Sequence, residues 1–245
     1  MVINGRTEYK KAVILTSEKM HDLQALIQKY CDRVCYKATT IGDSEISFSS
    51  LDELLQYDNF GSRSIKTLHI SASGKTVQSF RLYFEADILS FGFTGYGETF
   101  HCYYEVETVD IETNLRDEIN TFLRKITAEY WLIAKFRLFG LLMLFCYIAL
   151  VYMLSHKISI AVDKDIVSSI ISTIVSLFIG FGIVVFVKTV DQKFFKRCFP
   201  PIAFVWGEGK TQFEKSQRLR GNLFWGLIIA VIAGVIATFI SNYLF

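Results

Sequence analysis

Three long apolar runs in the second half of the chain constrain its folding more than any other feature. They cover about residues 131–154, 166–187 and 223–244, and the second and third hold no Asp, Glu, Lys or Arg. A helix of about 22 residues is ~33 Å long, against a hydrocarbon core of about 30 Å. The runs therefore predict three transmembrane helices and an integral membrane protein. Lys135 and Arg137 lie in the opening turns of the first run, where long side chains snorkel to headgroups. Trp131, Trp206 and Trp225 fall near proposed ends on one side, as an interface belt would place them. Together these five residues are the expected interface anchors.

Charge divides the chain in the same place. Residues 1–130 hold 14 Lys/Arg against 19 Asp/Glu, a net of −5, and residues 131–245 hold 12 against 5, a net of +7. The expected organisation is a domain at 1–128 and a membrane domain at 129–245, with a basic loop at 188–222. That loop carries Lys193, Lys196, Arg197, Lys210, Lys215, Arg218 and Arg220, whereas the loop between the first two runs has only Lys157 and Lys164. The positive-inside rule places the richer loop in the cytoplasm. With three spans the N-terminus is then cytoplasmic and the C-terminus outside. Multi-pass insertion in a plasma membrane, such as a bacterial inner membrane, follows. The start, Met1-Val2-Ile3-Asn4-Gly5-Arg6, does not read as a cleavable signal peptide. Cysteines at 31, 35, 102, 146 and 198 are odd in number and without framework spacing, so reduced thiols are expected.

Up to about Tyr130, alternation and turn residues predict an α+β domain with a mostly antiparallel sheet. Strands are expected at Lys11–Leu15, Val34–Thr40, Glu45–Ser49, Ile65–Ala72 and Val77–Glu85. Two more flank the glycine-rich turn Gly92–Gly97. Phe80, Leu82 and Phe84 should share one face, as should Phe100, Cys102, Tyr104 and Val106. Ser17 is a candidate N-cap for a helix with Leu23, Leu26, Ile27 and Tyr30 on one side, and Ser50 with Glu53 forms a candidate capping box. From Asp110 onward, Ile111, Leu115, Ile119, Phe122, Ile126 and Ile133 recur at helical spacing with no Gly or Pro before Phe139. One unbroken helix of ~66 Å from the domain through the first span is therefore expected, with a short linker near Glu129–Trp131 as the alternative.

Chemistry is sparse. His21, His69, His101 and His156 sit in no hydrolase or zinc-protease motif. Cys31 and Cys35 lack a second ligand pair at zinc spacing. Gly92–Gly97 lacks the lysine and strand–turn–helix setting of a phosphate loop. Asp43, Glu45, Asp52, Glu53 and Asp58 read as solvated strand ends and a helix start. No enzyme, metal or cofactor is expected. Small residues recur every fourth position at Ser168, Ser172, Ser176 and Gly180, and again at Gly226, Ala230, Gly234 and Thr238. Such stripes let helices approach closely, in one chain or between subunits, and they are the expected packing or pore face. The leading functional reading is a sensor or adaptor whose cytoplasmic domain binds a ligand or protein partner and is coupled by the long helix to the spans. The second is an oligomeric gated pore or membrane-disrupting effector, such as a bacterial defence effector, and the third a membrane-tethered enzyme. The expected partners are anionic lipid headgroups, further copies of the chain and an unidentified cytoplasmic ligand or protein. The acidic first half argues against nucleic acid.

Overall fold

Alternation of apolar and polar side chains builds the sheet, because successive residues of a strand point to opposite faces. The computed structural model describes residues 2–74, 76–85, 98–136 and 196–244. Backbone alone is described at 134–136, 196, 224, 227–228 and 230–244. Within these, β1 (Ile3–Tyr9), β3 (Arg33–Thr40), β4 (Glu45–Phe48), β5 (Ile65–Ser73), β6 (Val77–Phe84) and β7 (Phe100–Val106) form one antiparallel sheet. Its order is β1-β7-β6-β5-β3-β4. The inner face carries Leu68, Ile70, Phe80, Leu82, Phe84, Phe100, Cys102, Tyr104 and Val106, all buried. Fully burying such an apolar side chain contributes about 1.5–3 kcal/mol. Both groups of residues expected to share a face do so.

Two helices cover this inner face. The first, α1 (Ser17–Gln28), buries Met20, Leu23, Leu26 and Ile27, and Thr16 caps it by accepting from the Lys19 amide at 3.3 Å. The cap is thus one residue earlier than the sequence suggests. The short α2 (Leu51–Gln56) has the expected cap, with the Glu53 amide donating to Ser50 Oγ at 3.2 Å. The Glu53 carboxylate closes the box on the amide and hydroxyl of Ser49, both at 2.7 Å. The second covering helix, α3 (Val109–Ile126), buries Leu115, Ile119, Phe122, Leu123 and Ile126.

α3 does not continue toward the apolar runs. Thr127 leaves the helical region at φ −60°, ψ 129° and forms a bridge with Val13, while the Ala128 amide donates to Ala12 O at 2.8 Å. Helix resumes at α4 (Trp131–Phe136). The expected continuous rod is broken at 127–130 because these residues are used in pairing with the segment before β2 (Val13–Thr16) and in burying Tyr130.

The C-terminal part enters the same core. After a helical turn, α5 (Lys196–Cys198), β8 (Ile202–Val205) pairs in parallel with β2, Val13 opposite Ile202 and Thr16 opposite Val205. Phe204 and Trp206 join the main core, Trp206 at 2% exposure. Trp206 is therefore a core residue and not an interface anchor. Gly207, at φ +52°, turns the chain into α6 (Glu208–Leu244), a single helix of 37 residues.

This arrangement corrects the membrane expectation. Among the described residues no helix is long and apolar enough to cross a membrane. A three-span all-α membrane domain, a transmembrane or integral membrane character and a multi-pass plasma-membrane location are accordingly not what the structure displays. The run at 223–244 is the distal part of α6, whose first turns carry Glu208, Lys210, Glu214, Lys215, Arg218 and Arg220 and are fastened to the folded domain. Most of the first run and all of the second lie outside the described residues. The positive-inside argument also loses its premise, since part of the cationic loop is folded onto the domain. Arg220 donates to Cys198 O at 2.5 Å and lies 4.4 Å from the Tyr130 ring centre and 5.1 Å from that of Phe213. Ser216 Oγ donates to Arg197 O at 2.8 Å.

Candidate functional site

With both covering helices on the inner face, the outer face of the sheet has no described element packed upon it. Register fixes which residues meet there. Lys37, His69, Tyr83, His101 and Glu8 form one row across β3, β5, β6, β7 and β1. Cys35, Ser71, Arg81, Tyr103 and Arg6 form the next. His69 and Tyr83 stack with ring centres 4.2 Å apart and planes 8° apart. Tyr83 meets Tyr103 edge-on at 6.0 Å and 80°. The Arg6 guanidinium sits 5.3 Å from the Tyr103 ring centre. Cross-strand aromatic pairs of this kind stabilise a sheet by about 0.2–1 kcal/mol each. The rings cover one another in part, and Tyr103 is left at 38% exposure.

The charges of the face are mixed, with Lys37, Arg81 and Arg6 beside Glu8, Glu45 and Glu105. Arg81 is exposed and, among the described residues, has no ion-pair partner. Lys37 pairs with Glu45 at 2.5 Å and Arg6 with Glu8. His69 is held below the ordinary histidine range, first by burial and then by the charges of Arg81 and Lys37. Its Nε2 is buried without a hydrogen-bond partner among the described residues. A neutral imidazole is the form that tolerates this position, since a charged one would face two cations from a desolvated site. Burial pushes the thiol of Cys31 up to about 11 and that of Cys102 higher still. Cys35, by contrast, is exposed on the outer face.

A groove of about 390 Å³ lies between α1 and α3, floored by Leu26 and Phe122 and edged by Asp22, Lys29, Asp117, Glu118 and Lys125. Lys29 and Glu118 close on each other across it at 3.0 Å. Its floor belongs to the core. Glu8, Glu98 and His101 bring potential metal-ligating atoms within 4.8 Å. Arg6 pairs with Glu8, Lys10 lies 3.3 Å from Glu98, and His101 Nδ1 is 3.2 Å from the Glu98 carboxylate. The two carboxylates are thus already offset by cations, and the cluster is better read as an ion-pair network at the end of β1 and β7.

The residues singled out in the sequence are mostly elsewhere. Ser168, Ser172, Ser176, Gly180, Arg137 and Lys193 lie outside the described residues, as does Gly92–Gly97. Gly226 lies on α6 with open space where a Cβ would stand. Ala230, Gly234 and Thr238 follow on the same helix. Lys210, Lys215 and Arg218 are on the first turns of α6 and exposed, and Trp225 is also exposed there. Trp131 lies at the start of α4 with the Lys11 ammonium 4.7 Å from its ring centre, and Lys135 follows on the same helix. None of these residues shares a site with another on the outer face. The face itself was missed, although its signal was present: the polar positions of β5, β6 and β7 include His69, Tyr83, His101 and Tyr103 where charged or small residues would be ordinary. Comparison with protein families, with curated proteins and with solved structures finds no match to the chain.

Proposed function

We propose that this chain is a non-enzymatic binding protein whose α+β domain takes a ligand or partner and passes the event to the long helix α6. The observation that supports this reading is the β2–β8 seam. β2 runs without a break into α1, and β8 runs through Trp206 and Gly207 into α6. A shift of the sheet against α1 would therefore reach β2, and through four paired residues β8 and the root of α6. The pore and effector readings depended on membrane spans and are set aside. No pairing of nucleophile and base among the described residues favours the enzyme reading.

Amide hydrogen exchange on the full chain tests the coupling. Asn59→Ala, which removes the side-chain bond to Phe204 O on β8, should raise exchange in 202–206 and in the first turns of α6 while β6 and β7 keep their protection. Unchanged protection in both would refute the proposal that the domain holds the helix.

A further inference from the structure

We propose that the apolar side of α6 is a docking surface for the chain's own apolar run 138–154, which follows α4 and lies outside the described residues. The inference concerns what accompanies α6 beyond the domain and does not depend on a ligand. Three observations lead to it.

The first is the surface. Leu219 and Leu223 on α6, and Leu132 and Ile133 on α4, are exposed among the described residues. At 3.6 residues per turn, Leu219, Leu223 and Gly226 fall on the side of α6 that carries Ser216. Ser216 donates to Arg197 O at 2.8 Å and Arg220 to Cys198 O at 2.5 Å. The contact begun in these turns is therefore continued along the helix by apolar and small residues. No described atom lies within 4 Å of where a Cβ at Gly226 would stand. Apolar surface gathered in this way marks a site of contact.

The second is where the run sets out. Tyr130 immediately precedes α4, and the Arg220 guanidinium lies 4.4 Å from its ring centre. The Tyr130 hydroxyl also donates to Pro200 O at 3.2 Å. The six residues of α4 rise only ~9 Å, and Leu138 follows two residues after Phe136. The run thus begins close to the level of Arg220 on α6. Tethered there, it meets α6 at an effective concentration on the order of millimolar, which favours it over a second copy of the chain.

The third is the matching end of charge. Arg220 is the last charged residue of α6, and 221–244 hold none. Arg137 is followed by no Asp, Glu, Lys or Arg until Lys157. Two uncharged stretches therefore start from the same clasp, and neither sets a charge against the apolar side of the other, where it would be costly.

The test is photo-crosslinking in the full-length protein, with benzoylphenylalanine in place of Leu223 and, in a second variant, of Leu219. Each is prepared as an equal mixture of light and heavy-isotope chains. Both positions are expected to give adducts to peptides of 138–154 within one chain. The same photo-residue in place of Arg218, exposed on another side of α6, should give several-fold less. Adducts joining light to heavy chains would overturn the proposal in favour of a second copy. So would adducts to 155–195 alone, adducts to lipid alone, absence of adducts from both leucine positions, or equal yield from the Arg218 position. None of these results bears on the exchange response to Asn59→Ala, so the docking and the coupling are refuted separately.

Discussion

The side-chain amide of Asn59 donates to the carbonyl oxygen of Phe204 at 3.0 Å, 145 residues further along the chain. Its Oδ1 accepts from the Ile65 amide at 2.7 Å, and the residue is 4% exposed. One buried side chain thus ties β8 to the start of β5. Gly209 sits so close that a Cβ there would lie 2.7 Å from both Asn59 Nδ2 and Phe204 O. Asn59→Ala leaves a buried donor and a buried acceptor unpaired, at about 1–3 kcal/mol for each group. Thermal unfolding should show a clear drop in Tm. Asn59→Asp keeps an acceptor for the Ile65 amide but buries a carboxylate oxygen against Phe204 O, so at pH 7 its loss should be at least as large.

A second long-range contact makes Gly5 a fixed requirement. A Cβ at Gly5 would lie 2.0 Å from Cε2 of Tyr104, whose ring covers the glycine across the β1–β7 pair. The Tyr104 hydroxyl donates to the buried Glu112 at 3.1 Å, and Glu112 pairs with Arg116 at 2.5 Å. Gly5→Val should displace the ring and detach β1 from α3. Tyr104→Phe, which keeps the ring, should cost about 1.5–3 kcal/mol through the lost bond to a carboxylate. Denaturant unfolding of the two variants checks the order: Gly5→Val must be the less stable.

The pH dependence of stability follows from His69. Its folded-state affinity for a proton is depressed, by burial first and then by Arg81 and Lys37. Between the depressed value and the ordinary histidine value of about 6.5, the unfolded chain binds the proton and the folded chain does not. Stability is therefore full above that ordinary value and is lost as pH falls through the window below it. His69→Phe keeps a ring against Tyr83 and removes the titration. The unfolding free energy of wild type minus that of the variant, measured from pH 7.5 to 5, should stay level above about pH 6.5 and fall below it.

Thiol reactivity should report the two faces. Cys35 is exposed on the outer face, whereas Cys31 and Cys102 are buried with thiols pushed well above their ordinary value. The thiolate is the reactive species. Iodoacetamide at pH 8 followed by peptide mapping should find Cys35 modified before Cys31 and Cys102, which stay protected until the protein is denatured. Rapid native modification of Cys102 would contradict the placement of β7.

The legible parts of this fold are those with local apolar patterns. β3, β5, β6 and β7 alternate clearly, and the caps at Thr16–Ser17 and Ser50 are written in a few residues. β1 was not legible because Ile3-Asn4-Gly5-Arg6-Thr7-Glu8-Tyr9 has little to bury by itself; Tyr104 supplies the packing from another strand. The end of α3 at Thr127 was hidden because it depends on Val13 and Ala12, more than a hundred residues away. β8 lies within the segment expected as a basic loop at 188–222, since a parallel pairing with β2 leaves no local signature. The apolar runs were read from length and lack of charge, which do not reveal that the last continues a helix rooted in the folded domain. The outer face was visible as unusual polar positions, but only register places His69, Tyr83, Arg81 and Tyr103 side by side.

Site-specific cleavage tests the seam most directly. A recognition site for a specific protease, inserted after Ser155 in the full chain, divides the protein between α4 and α5. After complete cleavage the two fragments should stay together as one species in non-denaturing size analysis, and the combined Asn59→Ala and Trp206→Ala variant should let them part. Separation of the fragments with Asn59 and Trp206 intact would show that β8 does not hold α6 to the domain.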